Sequence, residues 1–184
     1  MIDEITPVAI YITDEILKNS NGFAVSVLKR FNSIAMAETK VSAYGLWAIM
    51  VAPGCTWDHK PLIAKKFSSS MRDKQWLRYE PTKKDYNYDI WSNIHYGYVG
   101  RAAGFSEEEL LMGAGVAQLK TSKSNECSII NLKLCDDPKD QYAIKLGFKL
   151  FNISPNGFTY RILLSMLVAD TEVLSTRDIA QQFL

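Results

Sequence analysis

The stretch that decides how this chain is read is Tyr88-Asp89-Ile90-Trp91-Ser92-Asn93-Ile94-His95-Tyr96-Gly97-Tyr98-Val99-Gly100-Arg101-Ala102-Ala103-Gly104-Phe105. It sets a carboxylate, an amide, an imidazole and phenols beside a ladder of small residues. If it is helical, Asp89, Asn93 and Tyr96 or Gly97 share one face at i, i+4, i+7 and i+8. Gly97, Gly100 and either Ala103 or Gly104 then form a small-residue stripe that lets a second backbone approach. Glycine costs about 1 kcal/mol relative to alanine inside a helix, so its repetition here points to a packing or site requirement. A second polar cluster, Trp57-Asp58-His59-Lys60-Pro61, lies upstream. The two histidines of the chain, His59 and His95, fall one in each cluster. That density of titratable groups is expected of an active site.

The rest of the chain reads as mostly helical, with α+β the alternative through a short strand pair, in one domain covering 1–184. Thr13 followed by Asp14 and Glu15 has the pattern of a helix start. Asn19-Ser20-Asn21-Gly22 breaks the chain before a second helix with Phe23, Val27, Leu28, Phe31 and Ile34 at helical spacing. Pro53-Gly54 is punctuation. Pro61 disfavours helical geometry at Lys60, so Asp58–Lys60 reads as extended, with Asp58 and Lys60 on one side and His59 on the other. Ser68 to Tyr86 shows no period and reads as a long connection. Ser106 with Glu109 forms a capping box, followed by an apolar face of Leu110, Leu111, Ala114 and Ala117. Asn125 to Leu134 alternates as a short strand. Asp137-Pro138 opens a helix with Tyr142, Ala143, Leu146 and Leu150 inward. Ser154-Pro155-Asn156-Gly157 is a turn, Tyr160 to Ala169 a buried helix or strand, and Ser175 to Asp178 a last helix start.

Composition narrows the class. A 47% hydrophobic, 22% charged chain of 184 residues can bury a proper core. The longest apolar run, Tyr44 to Ala52, is far shorter than the roughly 20 residues a bilayer-spanning helix needs. The acidic start Met1-Ile2-Asp3-Glu4 lacks the pattern of a secretory signal. Three cysteines, Cys55, Cys127 and Cys135, have no zinc-ligand spacing; Cys127 and Cys135 could pair. The formal net charge is +1, whereas proteins that grip nucleic acid lean basic. The local run of bases from Lys60 to Lys84 reads as a solvated strip more readily than as a phosphate-facing one.

Taken together, Pro53-Gly54, Trp57–Pro61, Tyr88–Phe105, Leu110-Leu111 and Gly113–Gln118, with Asp136-Asp137-Pro138, resemble the polymorphic toxin type 44 family (bacterial toxin 44) over roughly half of the chain. The resemblance implies an antibacterial effector domain. Such a domain is made in a bacterial cytoplasm, carried by a larger exported polypeptide or secretion-system component, and countered by a cognate immunity protein, with no stable membrane insertion. The run Tyr88-Asp89, five residues, then His95 is also similar to the motif of colicin M-type toxins. This chain departs from that motif at Tyr96, where those toxins have arginine, and at Tyr86, where they have aspartate.

The residues leave the reaction open between classes. Asp58 and Asp89 could divide general acid and base roles, as in glycoside cleavage, with peptidoglycan or its lipid-linked precursor as substrate and the periplasm as the place of action. The two carboxylates could also share a divalent metal, though they select none. Alternatively, His59 and His95 could serve as the acid–base pair of a ribonuclease, with Lys60 on the phosphorane. In the toxin family those two positions can hold tyrosine and asparagine, which moves weight onto the other polar residues. A non-enzymatic binding module is the third class. The favoured catalytic set is Asp89, Asp58, His95 and Lys60. The favoured substrate-binding set is Asn93, Tyr96, His59 and Trp57.

Overall fold

A computed structural model describes residues 1–119 and 135–179. Among the described residues are eight α-helices, a short 3-10 helix at Glu80–Thr82 and one small antiparallel sheet. The helices are α1 (Ile5–Ser20), α2 (Phe23–Ser33), α3 (Ala37–Val51), α4 (His59–Lys66), α5 (Asp89–Ala102), α6 (Glu107–Gln118), α7 (Pro138–Ile153) and α8 (Tyr160–Ala169). The strands are β1 (Trp76–Tyr79), β2 (Lys84–Asn87) and β3 (Thr176–Asp178). The mostly helical class read from the sequence is what the chain adopts.

The decisive stretch is α5, and it lies at the centre. Asn87 Oδ1 accepts the Asp89 amide at 2.9 Å, closing a turn into the helix, and Asp89 faces the positive end of the helix dipole. Ile90, Trp91, Ile94, His95, Tyr98 and Val99 are all buried. A helix apolar around most of its circumference belongs inside a core, and α5 packs against α1, α2, α4, α6 and α7.

Its closest neighbour is α7, and the glycines explain the approach. A Cβ on Gly97 would overlap the Ile144 carbonyl of α7, and one on Gly147 would come within 2.8 Å of the Tyr98 amide nitrogen of α5. The two helices therefore cross backbone to backbone, which side chains at either position would forbid.

The starts of α6 and α7 follow their local signals. Ser106 and Glu109 form the reciprocal capping box, and Asp137 accepts the Lys139 amide at 2.7 Å with Pro138 in the first turn. Tyr160–Ala169 resolves as helix. Gly157, at φ +121°, makes the turn before it, a conformation glycine adopts without a steric penalty.

Several expectations are corrected. Thr13 does not begin a helix. The apolar series Ile5, Val8, Ala9, Ile12 and Ile16 runs through it, and Asp3 Oδ1 takes the Thr6 amide at 2.9 Å near the true start. On α2, Phe23 is exposed and Val25 is buried with Leu28. Ser68–Tyr86 is not structureless, because it contains β1 and most of β2, paired with Leu77 opposite Tyr86. Ser175–Asp178 is not a helix start. Thr176–Asp178 adds to the edge of β2 as β3, with Arg177 opposite Asp85. Backbone pairing to a waiting strand outweighs a local capping pattern. The expected strand at Asn125–Leu134, and Cys127 with its proposed pairing, lie outside the described residues.

Candidate active site

The sequence read Asp58–Lys60 as extended, and the structure corrects this. Only Asp58 is extended; it is the N-cap of α4, and His59 and Lys60 already lie in the helix. Pro61 is accommodated because the first-turn amides of a helix have no intrahelical partner to lose. Both Asp58 carboxylate oxygens are engaged: Oδ1 accepts the Lys60 amide at 3.2 Å and Oδ2 the Gly54 amide at 2.8 Å.

Helical geometry sends the neighbouring residues His59 and Lys60 in different directions. Lys60 reaches α5, where its Nζ lies 3.3 Å from Asp89 Oδ2, with the two side chains 31% and 29% exposed. Two further carboxyls, Asp136 and Asp140, come from the start of α7 and the residues before it. Asp140 feels the charges of both Lys60 and Asp89 and lies close to the Asn93 amide. Burial pushes the Lys60 pKa down, but Asp89 and Asp140 outweigh it, so the ammonium is held charged above its usual range. Asp140 is pushed up, first by burial and then by Asp89 and Asp137, against the pull of Lys60. Asp136 is 6% exposed and is raised to about 6, mainly by burial and by Asp140.

This corner is under-satisfied by its own atoms. Asp89 Oδ1, Asn93 Nδ2 and Asp136 Oδ2 are shielded from solvent and make no hydrogen bond of proper geometry. Tyr88 flanks Asp89, its phenol pKa raised by burial and by that carboxylate. The result is a half-open cluster of one ammonium, three carboxyls and an amide, contributed by α4, α5 and the α7 start.

The histidines form a separate structure behind it. His59 is 0% and His95 1% exposed, and their ring centroids are 4.1 Å apart. Tyr11 Oη lies 3.1 Å from His59 Nδ1 and Asn19 Nδ2 lies 2.9 Å from His95 Nε2, both partners from α1. Burial lowers the His59 pKa, against smaller opposing effects of Glu15 and Asp58. Burial and then His59 lower the His95 pKa well below its usual value. Both imidazoles are buried, and their remaining ring nitrogens, His59 Nε2 and His95 Nδ1, have no hydrogen-bond partner.

Trp57 packs against Trp47 at 5.6 Å and His95 at 6.3 Å. Tyr96 turns inward, donates to the Leu110 carbonyl at 2.9 Å, and is pushed to about 12 by burial. The structure therefore brings together Lys60, Asp89 and Asn93 from the residues singled out in sequence. It holds His59, His95 and Trp57 in the interior, Tyr96 partly buried against the core, and Asp58 at a helix cap. Sequence reasoning missed Asp136 and Asp140, although Asp136-Asp137-Pro138 was among the motif fragments. Among the described residues, no group of three or more His, Cys, Asp or Glu is arranged to hold a metal.

The basic strip also changes character. Arg72 pairs with Glu4, Arg78 with Asp85, and Lys84 with Glu172 and Asp178. These three bases are committed to the sheet and its surroundings, whereas Lys65, Lys66, Lys74 and Lys83 are exposed.

The fold and site define a mostly helical domain that presents an acidic, lysine-bridged cluster beside a glycine-mediated helix crossing. The family model described as bacterial toxin 44 matches residues 46–153, more than half of the chain, and the protein belongs to that family of bacterial toxins. The matched span contains Lys60, Asp89, Asn93, Asp136 and Asp140 and also Asp58, His59 and His95; Tyr11 and Asn19 fall outside it. No curated protein and no solved structure gives a significant match to the chain. No helix among the described residues is long and apolar enough to cross a membrane.

Proposed function

We propose that this toxin domain is a hydrolase whose chemistry is run by carboxyl groups, with cell-envelope peptidoglycan, or its lipid-linked precursor, as substrate. The observation that carries this reading is the contrast of environments at one site. Asp89 is ion-paired with Lys60 at 3.3 Å, while Asp140 beside it is biased toward keeping its proton. A carboxyl whose surroundings favour its protonated form can serve as the acid beside one held in an ion pair. Asp140 delivers a proton to the leaving oxygen. Asp89 acts on the opposite side, as base toward water or as nucleophile, and the separation of the two groups decides which. Lys60 balances charge that develops at the centre, and Asn93 orients the substrate. Asp58 serves by fixing the first turn of α4, and so the position of Lys60. No step needs either imidazole.

Two further observations favour an envelope substrate over RNA. The histidines proposed for a ribonuclease are buried, with burial lowering both pKa values, and Lys60, Arg72, Arg78 and Lys84 of the basic strip are ion-paired within the domain. From the family we infer a carrier polypeptide for delivery into a target bacterium and a cognate immunity protein, and from the envelope substrate proposed here, periplasmic action.

The test is digestion by the purified domain of sacculi, lipid-linked precursor and total RNA in parallel, together with production in a sensitive bacterium with and without an export signal. Release of soluble cell-wall fragments, and toxicity only after export, is the expected result. Degraded RNA with toxicity confined to the cytoplasm would replace this reading with a ribonuclease.

A further inference from the structure

Helix α4 carries Lys60 to the carboxyl cluster, yet it is lightly anchored. It is 8 residues long, and its buried side chains are His59 and Ile63. It packs chiefly on α5. A helix this short is marginal by itself and depends on tertiary contacts. His59 supplies much of that anchorage by lying on His95 of α5, with ring centroids 4.1 Å apart.

The pair suits the neutral state alone. His59 is 0% and His95 1% exposed. A charged imidazole donates from both ring nitrogens, but His59 Nε2 and His95 Nδ1 are sealed with no partner. The other nitrogen of His95, Nε2, meets the Asn19 side-chain amide nitrogen, a group that donates and cannot accept. No counterion stands ready either. The charges acting on His59 are Glu15 and Lys18 of α1 and Asp58 at the α4 cap. Glu15 is paired with Lys18 at 3.2 Å, and Asp58 is engaged by two backbone amides. Tyr11 of α1 meets His59 Nδ1, and Lys66 of α4 lies over that phenol ring at 4.7 Å. On His95 the acting charge is His59 itself. From α5, Asp89 is turned to Lys60.

We propose that the histidine pair is an acid-sensitive latch: protonation parts α4 from α5, and α4 opens as a unit, withdrawing Lys60 from Asp89 while the rest of the fold stands. Free imidazoles titrate near 6.5. The open form therefore gains protons that the closed form excludes, and opening grows as pH falls below about that value. As a control on hydrolysis the latch rests on the carboxyl reading; the opening itself does not.

The test is amide hydrogen exchange of the intact domain at pH 7 and pH 5, corrected for intrinsic rates. Protection of the α4 amides from Ile63 to Lys66 should fall about ten-fold or more between those values. At both it should stay below that of Leu146 and Phe148 in α7, because a local opening is cheaper than global unfolding. His59→Gln/His95→Gln should remove the pH dependence in α4. Should the double variant fail to fold, His95→Gln alone should reduce it. Equal protection of α4 and α7 at pH 5 would mean that acid acts through global unfolding alone, and overturns the latch. So does α4 protection that is unchanged between pH 7 and 5, or a pH dependence that survives intact in the glutamine variants. No readout here involves wall digestion, so failure leaves the carboxyl reading standing.

Discussion

His59 and Lys60 are adjacent in the chain and meet opposite fates. One is sealed against His95 with its pKa depressed, and the other reaches out to Asp89 and stays charged. The same split recurs on α5, where Asp89 and Asn93 face the open cluster and His95 turns into the core. Two segments therefore build two regions, a half-exposed carboxyl–lysine centre and a buried imidazole pair. A dense polar motif in sequence is not a dense active site in space. Helical rotation of about 100° per residue sorts such a motif into a wet face and a dry one.

Experiments on both regions can break or sharpen this contrast. Asp89→Asn should produce the largest loss. Removing a group central to acid–base chemistry lowers turnover by about 10²–10⁴-fold, read as soluble wall fragments released, with Tm little changed.

Gly97→Ala is next and acts on stability alone. A methyl group here meets the Ile144 backbone, which cannot yield as a side chain can, so the cost should reach about 3 kcal/mol or more. Denaturant unfolding measures it; a change near zero would mean that α5 and α7 are not in backbone contact.

Asp140→Asn should reduce turnover by about 10²-fold. It should also remove the alkaline limb of the pH–rate profile, since an amide cannot supply the proton. A profile that keeps its alkaline limb assigns the acid to another group, with Asp136 the first alternative.

The histidine pair predicts a pH effect on folding. Both native pKa values are depressed relative to the ordinary value of 6.5, so the unfolded chain takes up protons first as pH falls. Stability is complete above about 6.5 and declines below it, by up to about 1.4 kcal/mol per pH unit for each imidazole. His95→Gln should flatten that slope in Tm measured from pH 7 to 5.

The smallest effect belongs to Asp58. Asp58→Ala should cost about 1 kcal/mol, the worth of an N-cap, and Asp58→Ser, which can still cap, should keep both stability and activity. Loss of all activity in the serine variant would return Asp58 to the catalytic set.

Much of the fold was legible because its signals are local. The capping box at Ser106 and Glu109 and the Asp137-Pro138 start each reflect a constraint a few residues long, whereas Gly97 of α5 answers to the distant backbone of α7. The sheet was not legible. Four-residue strands are too short to display a period, and β3 pairs with β2 across about ninety positions, so nothing near Ser175 announces a strand. The site was half legible. Lys60, Asp89 and Asn93 stood out by type and spacing, but Asp140 joins them only through the α5–α7 crossing, a tertiary contact. Asp58 was chosen for its charge, and its carboxylate is found holding two backbone amides at the start of α4; the histidines were chosen for their proton chemistry, and both are found buried.

The most direct measurement sets wall-degrading activity per folded molecule of Asp89→Asn beside that of His95→Gln, with folding verified for each. If carboxyls do the chemistry and imidazoles fill the core, the first variant is inactive and the second retains most of its activity. A folded, inactive His95→Gln alongside a fully active Asp89→Asn would contradict that division outright.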